Sequence, residues 1–247
     1  MTEVLLYHHI QGLTDGVRAF ADDLRRDGHT VHTPDLFDGR TFASIEEGFG
    51  FARDAGFEAI RERGAAAADE LAPGLVYAGF SFGVTIAQRL AQTRPGARGA
   101  LLMESCLPVS EFGQAWPEGV PVQIHGKEGD EFQVAVHLAS GQPLGRVRAQ
   151  VRFDASALQL VSAEPGDLAP SGDTPKVDLR PGGVQLELSG SPESPVVGTG
   201  SVVNMRFRVV SAHSLATLIA SQVVLVGEDG AAVAATSPTP LKITLSK

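Results

Sequence analysis

Two hydrophobic rhythms divide this chain of 247 residues. Up to about residue 131, short apolar runs alternate with segments whose apolar positions recur every three or four residues. The runs at 4–10, 29–34, 75–78, 97–103 and 120–125 predict buried strands. Between them, Thr14 stands as a cap before Val17, Phe20, Ala21 and Leu24, which share one helical face, and Gly28 ends that helix. Ser44 with Glu47 three residues on forms a capping box, behind which Ile45, Phe49, Ala52, Gly56 and Ile60 predict a second apolar stripe. Val84, Ala87, Leu90 and Ala91 predict the inward face of a third helix. Strands separated by helices of this length imply βαβ units and a parallel, doubly wound sheet.

From Phe132 the period becomes two. Phe132, Val134, Val136 and Leu138 point one way, and Gln133, Ala135, His137 and Ala139 the other. The same alternation predicts strands at 147–153, 158–162, 184–188, 202–210, 219–226 and 241–245. Turn-forming stretches separate them: Ser140-Gly141-Gln142-Pro143, Glu164-Pro165-Gly166-Asp167 and Arg180-Pro181-Gly182-Gly183. Short strands punctuated in this way predict a β-sandwich or jelly roll. The expected organisation is α/β over residues 1–131 followed by all-β over 132–247.

Composition follows the same division. Residues 1–132 hold 20 acidic and 11 basic side chains, whereas residues 133–247 hold 9 of each. Ten of the twelve Phe, both Tyr and the single Trp, Trp116, also lie in the first part, Trp116 reading as a packing residue. An acidic chain without a basic cluster has no electrostatic footprint for nucleic acid. No apolar run approaches the ~18 residues of a membrane span. The first residues lack the basic region and cleavage site of a secretory leader, which predicts a cytoplasmic protein. The single cysteine, Cys106, excludes an internal disulfide and reads as a small buried hydrophobe.

One motif carries chemistry. Gly79-Phe80-Ser81-Phe82-Gly83 follows an apolar strand and opens a helix, the context of the nucleophile elbow of α/β-hydrolases. The turn is too tight for side chains beside the serine, and the backbone N–H of Phe82 is placed to meet an oxyanion. Residues 1–132 resemble the dienelactone hydrolase family through the segment from Val4 to Phe42, the elbow and its flanks from Val76 to Cys106, and Val120 to Phe132. The resemblance implies hydrolysis of a small ester or lactone without cofactor or metal. Ser81 takes the nucleophile position, Asp130 that of the triad acid, and the region of Ile10 that of the second oxyanion donor. Many members carry Cys where this chain has Ser81. The family's next helix, strand, catalytic-histidine loop and closing helix are not recognisable here, so the doubly wound sheet is expected to be incomplete.

Five of the seven histidines are candidates for the missing base, none in a convincing setting. His125 precedes Asp130, the wrong order for this triad; His137 lies on the polar side of a strand; His213 falls in a loop; His8 and His9 follow the first strand. Glu104, at the end of a strand, is a second candidate acid. Without a base a serine hydroxyl stays a weak nucleophile, which predicts weak turnover or none. Asp167, Asp173 and Asp178 lack the spacing of a calcium loop.

Residues 132–247 resemble a cohesin-like module through Gly129 to Leu138, Val147 to Leu168 and Gly198 to Val210. The resemblance implies a non-catalytic domain that docks a partner protein such as a dockerin, usually outside the cell. Gly129-Asp130-Glu131-Phe132 fits both families, and a crossover there predicts a chimera. The two functional expectations are a crippled hydrolase fused to a binding module, or a binding protein acting through the sandwich alone.

Overall fold

A computed structural model describes every residue except 114–115, 118, 171–174, 181, 212–215, 236–240 and 246–247, with backbone alone at 216–221 and 241–245. The residues fall into two units, Met1–Leu107 with Pro117–His125, and Pro108–Trp116 with Gly126–Lys247.

In the first unit the apolar runs become β1 (Glu3–Tyr7), β2 (Thr30–His32), β3 (Val76–Phe80), β4 (Gly99–Met103) and β5 (Val122–Gly126). Neighbours are parallel in the order β2-β1-β3-β4-β5. Helices α1 (Asp15–Arg26), α2 (Ile45–Ala55) with α3 (Phe57–Asp69), and α4 (Val84–Thr93) make the crossovers into β2, β3 and β4. Val17 and Ala21 of α1 pack on Val4, Leu6, Val31 and Ala78 of the sheet, with Phe20 and Leu24 at the margin. Val84, Ala87, Leu90 and Ala91 of α4 are all buried. Burial of this order, at roughly 25 cal/mol per Å² of apolar area, is what holds such short helices.

The second stripe differs from expectation. Ile45 and Phe49 are 59% and 45% exposed, and Gly56, at φ +85°, breaks the segment into two helices. The inward faces are made of small residues instead, Gly48 and Ala52 in α2 and Gly64 and Ala68 in α3, with Ile60. A Cβ on Gly48 would stand 2.2 Å from the Ile10 carbonyl oxygen, so close backbone approach, not apolar bulk, fixes α2. The capping box forms as expected: Ser44 accepts from the Glu47 N–H, and Glu47 reaches back to the N–H of Ala43. Thr14 precedes α1 without capping it through its side chain, because its hydroxyl faces His9.

The second unit is antiparallel and forms a β-sandwich. Its strands are β6 (Glu131–Arg152), β7 (Leu158–Pro165), β8 (Lys176–Arg180), β9 (Gly183–Ser189), β10 (Val196–Val209), β11 (Ala216–Gly227), β12 (Ala232–Val233) and β13 (Leu241–Leu245). The turn expected at 140–143 is absent: β6 runs through it. Its first part pairs with β10, which pairs with β7, and its second part pairs with both β9 and β11. Register shifts opposite Ser140–Leu144 let the strand bend between sheets, and Pro143, without an N–H to donate, sits in that bend. Leu144, Val147, Leu188, Val196, Val202 and Leu225 form the core between the sheets. Strand β8, all of whose residues are exposed, carries no hydrophobic signal in the sequence, since its alternation has no buried side.

Leu144 is fully buried at the bend of β6. Leu144→Ala is expected to lower sandwich stability by about 2–5 kcal/mol, read from urea unfolding monitored by circular dichroism.

Candidate functional site

Two places bring polar chemistry together, one in each unit. In the first, β1 and β3 flank the point where the strand order reverses, and open parallel sheets bind ligands outside the carboxyl ends of strands there. Ser81 lies at that end of β3, in a short 3₁₀ turn leading into α4, with a left-handed φ of +46°. Its two glycines are sterically required. A Cβ on Gly79 would meet the Gly83 carbonyl at 2.5 Å, and one on Gly83 would meet the Tyr7 oxygen at 2.5 Å. The elbow is therefore pressed onto the end of β1, and the strain at Ser81 is held by the packing around it.

Phe82 is buried, its ring 6.0 Å from that of Phe57, and Ile10 is buried in the loop after β1. Glu104, just past β4, shares the left-handed conformation at φ +61°. Asp130 belongs to the second unit, where its carboxylate accepts from the Lys127 N–H at 2.9 Å and its backbone pairs with Val209. Cys106 is half-buried, and loss of water around its sulfur pushes the thiol up to about 12.

The imidazoles near the elbow are already engaged. His8 donates from Nδ1 to the His9 carbonyl at 2.7 Å and accepts the Leu36 N–H on Nε2 at 3.1 Å. His9 accepts the Gln11 N–H on Nδ1 at 3.2 Å, leaving Nε2–H to face the Thr14 hydroxyl at 3.3 Å. Burial lowers the pKa of both, opposed for His9 by the Glu104 carboxylate. Burial also lowers that of His125, whose Nε2 has no partner. His213 and Asp173 lie outside the described residues. Among the described residues the Ser81 hydroxyl makes no hydrogen bond, and no three His, Cys, Asp or Glu side chains gather as metal ligands do.

The second place is the outward face of the sheet β8-β9-β6-β11. Val147, Ala149 and Val151 of β6, and Val184, Leu186 and Leu188 of β9, point into the core. Alternation then turns Arg146, Arg148, Gln185 and Glu187 outward. Cross-strand register adds Lys176 opposite Glu187, Asp178 opposite Gln185, and Val224 opposite Arg148. Glu187 is bonded to Arg148 and lies 3.9 Å from Arg146. The Arg148 hydrogen bond, then the charges of Arg148, Arg146 and Lys176, hold its carboxyl below the usual range against partial burial. Arg148, Lys176, Asp178, Gln185 and Glu187 line a shallow hollow of about 290 Å³. The sequence signal for this face was the charged outward register of 146–152 and 185–187; it reads as solvated strand surface until the strands are placed side by side.

On the other sheet, His137 stands opposite Ser201, whose hydroxyl donates to Asp167 at 3.0 Å. Both His137 ring nitrogens are buried without a partner, beside a cavity of about 10 Å³, room for one water.

A cohesin-domain family profile matches residues 121–244. No curated protein matches the chain. Similar solved structures include the non-cellulosomal cohesin of the hyperthermophilic archaeon Archaeoglobus fulgidus, at 14% identity over 51% of this chain and 88% of that one, TM-score 0.44. A second is the sixth cohesin of Acetivibrio cellulolyticus scaffoldin B in complex with a Cel5 dockerin variant, at 18% identity over 50% and 94%, TM-score 0.45. A third is a type I cohesin–dockerin complex from Clostridium thermocellum, at 11% identity over 50% and 88%, TM-score 0.45.

Burial lowers the pKa of His137, opposed by the Asp167 charge. The unfolded imidazole takes a proton near pH 6.5 and the folded one only at lower pH, so acid favours unfolding. The urea midpoint of the sandwich is expected to fall between pH 7 and pH 5, and His137→Leu to shrink that fall. Equal acid slopes in both proteins would contradict the burial of this imidazole.

Proposed function

We propose, from the premise that this chain belongs to the cohesin family through residues 121–244, that its sandwich is a protein-docking module whose partner sits on the outward face of β8-β9-β6-β11. The carrying observation is the hollow lined by Arg148, Lys176, Asp178, Gln185 and Glu187, with Arg146 beside it at 3.9 Å from Glu187. Such a face favours a partner that offers carboxylates or backbone carbonyls to the cations and fills the hollow with one side chain. A dockerin-type module, the partner named for two of the similar structures, is the class carried over to this chain.

The Arg148–Glu187 pair is 44% and 21% exposed, so it contributes little to folding. Covered by a partner, the same charges lose water and fix orientation, where truncating one of them typically costs ~2–5 kcal/mol of binding. Stability and docking can therefore be separated. Arg148→Glu combined with Glu187→Arg keeps the internal pair while inverting the polarity of the hollow. The double variant is expected to melt within about 2 °C of the wild type and to bind a captured dockerin-type partner at least about tenfold more weakly by calorimetry. Unchanged affinity would remove this face from the interface.

A second reading is favoured by Ser81, held in a left-handed conformation between two sterically required glycines at the sheet's reversal point. It takes Ser81 as nucleophile toward a small ester or lactone, the N–H groups of Phe82 and Ile10 as oxyanion donors, and Asp130 as the acid, as the resemblance to dienelactone hydrolases assigns them. With His8 and His9 committed to backbone and hydroxyl partners, Ser81 has no imidazole bonded to it among the described residues. An oxyanion hole alone can leave ~10³–10⁴-fold catalysis over water. Slow nitrophenyl acetate hydrolysis that Ser81→Ala abolishes is expected on this reading; equal rates in the two proteins would eliminate it.

A further inference from the structure

Strand β8 is an edge. Among the described residues its backbone pairs only with β9, and all five of its residues are exposed. Lys176, Asp178 and Arg180 lie on the outward side, while Val177 and Leu179 lie on the side of Leu186 and Val184. Leu186 and Val184 are buried, yet Val177 is 37% and Leu179 66% exposed, so the core layer reaches this edge without being closed over. An edge of this kind offers a row of backbone donors and acceptors with two apolar side chains beneath it. Sheets accept extended peptides at such edges, with backbone bonds giving affinity and alternate side chains giving specificity.

We propose that β8 takes an extended peptide segment of a partner protein, one that alternates acidic, apolar, basic, apolar and acidic residues. The pattern follows from Lys176-Val177-Asp178-Leu179-Arg180 read across a strand pair, where opposed residues share a face and unlike charges stabilise. The neighbour β9 already follows that rule once, setting Glu187 opposite Lys176. The charge pattern of β8 is the same in both directions, so it fits a parallel or an antiparallel strand. Asp178 and Arg180 pair with each other, but at 58% and 56% exposure that pair exchanges readily for an intermolecular one.

A second copy of this chain is the poorer occupant. Pairing two β8 strands over their full length sets Lys176 against Arg180 and Asp178 against Asp178 when antiparallel, and each charge against itself when parallel. Like charges directly opposed destabilise a strand pair. Registers offset by two residues relieve the clash but keep only three β8 residues in contact, too few for a lasting pair.

Lys176 and Asp178 also line the hollow beside Arg148, but this edge works through backbone groups, so it stands whether or not that face docks a folded partner. The test uses the full chain and two synthetic peptides, one alternating Glu, Val, Lys, Val and Glu, the other with every charge inverted. The first should bind, read by fluorescence anisotropy, with amide exchange slowed across 176–180, and the inverted peptide should bind about tenfold more weakly or not at all. Asp178→Lys should reverse the preference at the central position, favouring a peptide whose Lys is replaced by Glu. That swap distinguishes lost recognition from lost folding. Equal binding of both peptides, protection elsewhere than β8, no binding at all, or self-association through β8 would each overturn the proposal.

Discussion

Between Leu138 and Gly145 the backbone of β6 leaves one sheet and enters the other without reversing direction, and both sheets take their register from it. Its first part aligns β10 and, through β10, β7; its second part aligns β9 on one side and β11 on the other. A slip of one residue in the second part would turn Val147, Ala149 and Val151 to water and bury Arg148. The cost of burying that charge, together with the apolar area lost, makes the observed register the only economical one. The placement of Leu144 at the bend, buried against Val196 and Leu225, pins the crossover where the strand must turn. The charged hollow is thus a consequence of core packing: inward valines and leucines dictate which arginines stand outward, and the cross-strand register brings Arg146, Arg148 and Lys176 about Glu187.

A different steric rule governs the first unit. Small residues let backbones meet: Gly83 against the end of β1, Gly48 against the loop at Ile10, and Gly64 against Ile86 and the Tyr7 ring. Tyr7 turns this closeness into a buried hydrogen bond, its hydroxyl donating to the Gly64 carbonyl at 2.8 Å. The same contacts hold Ser81 in a conformation that serine otherwise avoids. They position a hydroxyl without supplying a base, because the neighbouring imidazoles spend both nitrogens on structure. His8 ties β1 to Leu36, and His9 ties its own loop to Gln11 and Thr14. The carboxyl end of β3 thus presents a left-handed serine between required glycines, next to histidines whose accepting nitrogens are already bonded.

Much of this was legible in the residues. Period-two alternation located 147–152 and 184–188 because one side of each strand is uniformly apolar, and the elbow declared itself through Gly79 and Gly83 flanking Ser81. The unread parts share a cause: their signal is not hydrophobic. Strand β8 has no buried side to mark it. Gly48 and Gly64, which fix α2 and α3, read as interruptions of an apolar stripe, and so Ile45 and Phe49 were assigned an inward role they do not have. The stretch 140–143 carries every turn former, yet bends between sheets; composition cannot separate a bend from a reversal when both need backbone freedom. The hollow around Glu187 has no local signal for the plainest reason: Arg148 stands 39 residues from Glu187 along the chain and 28 from Lys176.

The outward sheet face is the proposed seat of a partner protein. Hydrogen–deuterium exchange on the full chain, free and saturated with a partner purified on it, reads that face directly. Slowed exchange is predicted in 146–152 and 183–189, with β7 and β10 unchanged. Protection confined to β7 and β10, or to the loops around Ser81, would contradict it.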